Sequence, residues 1–242
     1  MANSDSRDYE GQGCGSVSRR SFLGGSVTGI AGSILGGVSM EIFDTEPLEA
    51  QTTMTPDEAL RHLMDGNERF VAGKLAELPQ SLNALRQRTV QKQEPFAAIL
   101  SCADSRVPVE LVFDQTIGEL FVARVAGNFS TPEIMGSLEY GAAVLGTKVV
   151  MVLGHSSCGA VHATMEAKTV PGEISSLFQH IQPAVDSAGG DLEKAVKENA
   201  RLQAKLLAES STVLSGLVKE GKLKVVAGYY DLGSGKVSLI EG

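Results

Sequence analysis

Two short apolar runs that stop at metal-ligating side chains constrain this chain more than any other feature. The first begins at Phe96 and ends in Ile99-Leu-Ser-Cys-Ala-Asp-Ser-Arg106, with Cys102, Asp104 and Arg106 at alternate positions. The second, Val149-Val-Met-Val-Leu-Gly-His-Ser-Ser-Cys158, brings His155 and Cys158. A short, continuous apolar run reads as a strand buried on both faces, as parallel sheets require. Two thiolates, one imidazole and one carboxylate make a tetrahedral zinc set, and the thiolates favour zinc over magnesium or calcium.

Spacing supports the pairing. Cys102 and Asp104 are two apart, so at an extended strand end both can face one side. His155 and Cys158, three apart, suit a turn leading into a helix. Gly154 and Gly159 are expected to let the backbone bend around an ion. Other readings stay open for these residues. The cysteines could form a disulfide or be ordinary buried thiols. Asp104 could be a fourth zinc ligand, which closes the site, or pair with Arg106, which leaves room for water. Closed zinc sites are structural, and sites with an open position are catalytic.

Around these motifs the pattern alternates strands with helices. Thr55-Pro-Asp-Glu58 reads as a capping box with proline at the first helical position, opening a helix that Gly73 can end. Further helices are expected from Leu82 to Gln91, briefly from Val107 to Phe113, from Pro132 to Leu145, from Gly159 onward, from Pro171 to Val185 and from Leu192 to Gly216. In the 132–145 helix, Ile134, Leu138, Tyr140, Ala142 and Leu145 are candidate core residues. Strands are expected at 96–100, 119–126, 148–153 and 223–230, with a short antiparallel closing strand at 237–240. This is an α/β fold: a mainly parallel sheet flanked by helices, with an antiparallel edge strand at the carboxyl end. Ligands of such sheets bind at the carboxyl ends of the strands, where both motifs fall.

The chain has 242 residues, 43% of them hydrophobic, and a net charge of -8. That suffices for a sizeable core, and the acidic balance argues against nucleic acid as a partner. Residues 1–50 read as an export leader and linker, and residues 51–242 as the catalytic domain. Ser18-Arg-Arg-Ser-Phe-Leu23 opens a glycine-rich, weakly apolar run, which is twin-arginine signal chemistry, with cleavage expected near Ala50. The run is too weakly apolar for a stable membrane span, and the mature domain carries none. The leader holds seven acids and three bases, so the remainder carries about -4. The expected destination is the periplasm, cell envelope or thylakoid lumen.

Cys102-Ala-Asp-Ser-Arg106, Glu119-Leu-Phe-Val-Ala-Arg124, Ser137-Leu-Glu-Tyr140 and Gly154-His-Ser-Ser-Cys-Gly159 together resemble the β-class carbonic anhydrases. The resemblance spans Thr55 to Gly242. It implies zinc-dependent, reversible hydration of carbon dioxide to bicarbonate and a proton by a zinc-bound hydroxide, with one Zn2+ per chain. It places Cys102, His155 and Cys158 on zinc. Asp104 would alternate between coordinating zinc and pairing with Arg106, and only the second state leaves zinc a water. Gln93 matches a glutamine that binds substrate across a dimer interface. Phe121 and Ala126 match apolar pocket-wall positions. The family forms dimers, often paired into tetramers, with an amino-terminal helix packed on the neighbour; the helix from Thr55 is the candidate arm. Two departures stand out. Ala103 replaces the usual serine, and the absence of tryptophan removes one used by some members in a non-catalytic bicarbonate pocket. Two alternatives accompany this expectation. One is hydrolysis of carbon disulfide or carbonyl sulfide on the same fold, and the other is a non-catalytic zinc- or bicarbonate-binding protein.

Overall fold

The two apolar runs become neighbouring strands at the centre of one sheet. The computed structural model describes residues 52–76 and 81–241; the export leader read in residues 1–50 lies outside them. Strand β1, Ala97–Ser101, pairs in parallel with β3, Val149–His155, from Ala97 opposite Val149 to Ser101 opposite Leu153. Every residue of both strands is buried, as the unbroken apolar pattern requires. Strand β2, Leu120–Arg124, lies outside β1, and β4, Lys224–Tyr230, lies outside β3. Strand β5, Val237–Ile240, closes the edge antiparallel to β4, so the order is β2-β1-β3-β4-β5. The β1–β3 register brings Cys102, just past β1, and His155, the last residue of β3, to the same end of the sheet, although they are 53 positions apart in the chain.

Helices cover both faces. On one face, α1 (Pro56–Val71) starts with the expected box: the Thr55 hydroxyl accepts from Glu58 N–H, and the Glu58 carboxylate accepts from Thr55 N–H. Ala59 and Leu63 of α1 are fully buried against Ile99, Met151 and Phe113 of the same chain. One face of the amino-terminal helix therefore packs on its own sheet. The reason is steric fit. Gly66 lets α1 approach the Phe113 carbonyl so closely that an added Cβ would stand 1.9 Å from it. Asn67 then donates to the carbonyls of Val112 and Gly235 and accepts from Val237 N–H. Helix α2 (Leu82–Arg88) ends three residues short of Gln91, and α3 (Val109–Val112) is one short turn.

The other face carries α4 (Pro132–Ala143), α5 (Gly159–Met165), α6 (Phe178–Ala188), α7 (Leu192–Ser210) and α8 (Thr212–Lys219). A 3-10 turn at Gly172–Leu177 leads into α6. The single helix expected from Leu192 to Gly216 is in fact two. Ser211 leaves helical geometry (φ -80, ψ 121), its hydroxyl accepts from Leu214 N–H to cap α8, and it donates to Glu139 of α4. Tyr140, expected in the core, is 47% exposed, whereas Leu138, Ala142 and Leu145 are buried. Among the described residues no helix is long and apolar enough to cross a membrane.

Candidate metal centre

Cys102 follows directly on β1, His155 is the last residue of β3, and Cys158 is the N-cap of α5. One ligating atom from each lies within 4.8 Å of the other two, and all three residues are buried. Both cysteines are free thiols, so the disulfide reading does not describe this structure. Strand β3 runs further than expected, and its last residue carries the imidazole.

The bend between His155 and Cys158 does not fall on the flanking glycines. It falls on Ser157, at φ 54. Gly154 has ordinary strand geometry. Its missing Cβ makes room for α7, because a Cβ there would meet Val196 Cγ1 at 3.0 Å and the Val196 carbonyl at 3.2 Å. A Cβ on Gly159 would meet nothing within 4 Å.

The imidazole orientation decides what the cluster can hold. His155 Nδ1 lies 2.9 Å from the Ser156 carbonyl. A carbonyl only accepts, so Nδ1 carries the proton and Nε2 presents a lone pair. That Nε2 is buried and has no hydrogen-bond partner. Asp104 Oδ2, at 3.8 Å, is too far to serve as one. A buried acceptor without a partner is costly, and an imidazole whose other nitrogen is tied to a carbonyl is oriented as a metal ligand. Two thiols and this bare nitrogen fit zinc chemistry.

The closeness of the two sulfurs pulls the Cys102 thiol well below its ordinary range and pushes Cys158 up, aided by burial. The Gly127 N–H, 3.3 Å from the Cys102 sulfur, favours the Cys102 thiolate further. The N–H groups of Ala160 and Val161 at the start of α5 favour the anion at Cys158.

Asp104 stands beside the cluster rather than in it. It accepts from Arg106 N–H at 2.9 Å, Nε at 3.0 Å and Nη2 at 2.8 Å. Arg106 Nη2 also donates to the Ser157 carbonyl at 3.3 Å, linking the two halves of the site. The Arg106 hydrogen bonds hold the Asp104 carboxyl far below the usual carboxylate range.

The other expected site residues are scattered within one chain. Ala126 is half-buried and adjoins Gly127. Phe121 lies early in β2, paired with Ala98, and packs against Gly141 and Tyr140 of α4. Gln93 is exposed before the amino end of β1, at the opposite end of the sheet from the cluster.

Arg124 and Gly127 have roles that motif reading assigns to neither. Arg124 donates to the carbonyls of Cys102, at 2.9 Å, and Asp104, at 2.6 Å, and so braces the first motif. Its signal was a charged residue ending a strand beside β1, where the register sets it opposite Ser101. Gly127 has φ 87, and a Cβ there would stand 2.5 Å from Ile181 Cδ1, so glycine is needed for its N–H to reach the thiolate.

A family model described as carbonic anhydrase matches residues 97–237. Carbonic anhydrase 2 of Mycobacterium tuberculosis is 35% identical over 192 residues, covering 76% of this chain and 92% of that protein. Carbonic anhydrase of Mycolicibacterium smegmatis is 36% identical over 194 residues, covering 76% and 93%. Among solved structures, the β-carbonic anhydrase CcaA superposes with a TM-score of 0.62 at 23% identity, over 76% of this chain and 88% of that one. One of two tetrameric β-carbonic anhydrases from Sordaria macrospora gives 0.61 at 19% identity, over 76% and 97%. At those identities the structural likeness speaks to the fold alone.

Proposed function

The chain belongs to the carbonic anhydrase family, in its β class, and is a carbonate dehydratase; we propose that it hydrates carbon dioxide reversibly at one zinc ion held by Cys102, His155 and Cys158. The observation that carries this reading is the buried, partnerless Nε2 of His155, set within 4.8 Å of two free thiols. When bound, zinc supplies Lewis acidity that makes hydroxide available near neutral pH, lowering the pKa of water to about 7, a value known from carbonic anhydrases with three histidine ligands.

The protein's own groups do the rest. Arg106 keeps Asp104 ionised and turned away from the ligating set. The carboxylate can then accept a hydrogen bond from the attacking water and orient it, and a place remains for that water. Arg124 and Gly127 hold the Cys102 turn in shape. The released proton passes to solvent or buffer. Gln93 and Phe121 lie too far toward the amino ends of the strands to reach their own cluster. They are assigned to the carbon dioxide pocket of a partner subunit, with Ala126 on the pocket wall, and this requires a homodimer or tetramer. Residues 1–50 are assigned to twin-arginine export, supported by Ser18-Arg-Arg-Ser-Phe-Leu23.

The test is stopped-flow hydration of carbon dioxide with zinc quantified on the same sample, run beside carbon disulfide and carbonyl sulfide. Turnover of carbon dioxide that scales with zinc content is expected. Preference for a sulfur substrate would reassign the enzyme. A zinc-loaded protein inert across pH would leave only a binding role.

A further inference from the structure

Helix α7 reaches the metal centre through two buried amides. Asn199 and Gln203 stand one turn apart and are 1% and 7% exposed. Asn199 Nδ2 donates to the Gly127 carbonyl at 2.8 Å. Gln203 Oε1 accepts from Ser130 N–H at 2.9 Å, and its Nε2 donates to the His180 carbonyl at 3.3 Å. Between them the two side chains pin both ends of the 127–130 turn. That turn holds successive residues in left-handed geometry, Gly127 at φ 87 and Asn128 at φ 41. Such geometry persists in a non-glycine residue only where its surroundings enforce it. Gly127, held at its carbonyl by α7, gives its own N–H to the Cys102 sulfur.

We propose that Asn199 is a positioning residue for the metal centre: by holding the Gly127 carbonyl it keeps the Gly127 N–H aimed at the Cys102 sulfur and so sets the affinity of the Cys102–His155–Cys158 site for zinc. A hydrogen bond to a thiolate stabilises the charged form that binds metal. Partners one step removed from a metal tune affinity strongly. The ordinary alternative is a core amide that only satisfies a buried carbonyl. The inference rests on the zinc reading of the cluster.

The experiment measures the zinc dissociation constant by competition with a chromophoric chelator, and the sulfur-to-metal charge-transfer band of the Co2+-loaded protein. Full-length wild type, Asn199→Ala and Asn67→Ala are compared. Asn67 is the control: it is equally buried and makes three backbone hydrogen bonds on the opposite face of the sheet. Asn199→Ala should weaken zinc binding by about 10–100-fold and shift the cobalt band. Asn67→Ala should lower thermal stability while leaving zinc affinity within about twofold, since distant sites act independently. If Asn199→Ala does not fold, Asn199→Ser is read by the same two measurements. Zinc affinity and cobalt band unchanged in the Asn199 variant would overturn the proposal, as would equal weakening in Asn67→Ala. A wild type that binds no zinc would instead fail the zinc reading itself.

Discussion

Asp104 receives three hydrogen bonds from a single arginine, and its behaviour follows from them. Asp104→Ala leaves the three clustered ligands untouched, so zinc content should stay at wild-type level. Hydration should fall by about 10²-fold or more, in the range expected for loss of a positioned acid–base group. Unchanged turnover would remove the residue from the mechanism. The acid limit of the ion pair has a definite sign. The folded state lowers the Asp104 pKa, so the pair's stabilisation is complete above the ordinary aspartate value of about 3.9 and is lost as pH falls through the lowered folded value. Urea midpoints of wild type and Arg106→Ala should therefore differ by a constant amount from roughly pH 7 to 5 and converge below about pH 4. A gap that widens in acid would contradict the pairing. At this scale the ligand types were readable because cysteine and histidine are rare in this chain and chemically distinctive, and Asp104 lies two residues from one of them. Arg124 and Asn199 were not, because each acts on a backbone carbonyl and nothing in their own neighbourhood names that carbonyl.

Elements were legible where local chemistry dominates. The Thr55 box, the buried runs of β1 and β3 and the antiparallel β5 all follow from short patterns. The break at Ser211 did not, because Leu207 and Leu214 keep helical spacing across it. The bond from Ser211 to Glu139, 72 residues away, supplies what the pattern lacks. Two glycine substitutions should separate helix preference from helix packing. Gly136 lies exposed in α4 with nothing near its Cβ position, so Gly136→Ala should raise stability by about 0.5–1 kcal/mol. Gly66→Ala would drive a Cβ into the Phe113 carbonyl and should cost about 1–3 kcal/mol or more. Denaturant titration of both variants reads the opposite signs directly, and a stable Gly66→Ala would mean that α1 can shift away from the sheet.

For the molecule as a whole, the metal should act as a fold ligand. With free zinc about 100-fold above its dissociation constant, binding adds about 2.7 kcal/mol. In a domain of this size that corresponds to a melting temperature roughly 5–10 °C higher than in chelator. Scanning calorimetry with and without chelator measures it, and identical curves would argue against a buried ion at Cys102, His155 and Cys158. If Gln93 binds substrate as proposed, its placement at the far end of the sheet from the cluster requires a second copy. Sedimentation should find a dimer or tetramer at assay concentrations. A monomer active on carbon dioxide would exclude Gln93 from the site.

The amino-acid sequence by itself determined the ligand chemistry, the order of strands and helices and the family, because each is written in short patterns whose meaning survives without neighbours. Only the tertiary structure decided which nitrogen of His155 faces the thiols, that Asp104 sits on Arg106, and that α1 packs on its own sheet. The packing of α1 depends on contacts between residues tens of positions apart, whereas His155 and Asp104 are turned by near neighbours, the Ser156 carbonyl and Arg106; what those two local contacts leave facing the thiols is settled only once the register has brought the two strand ends together.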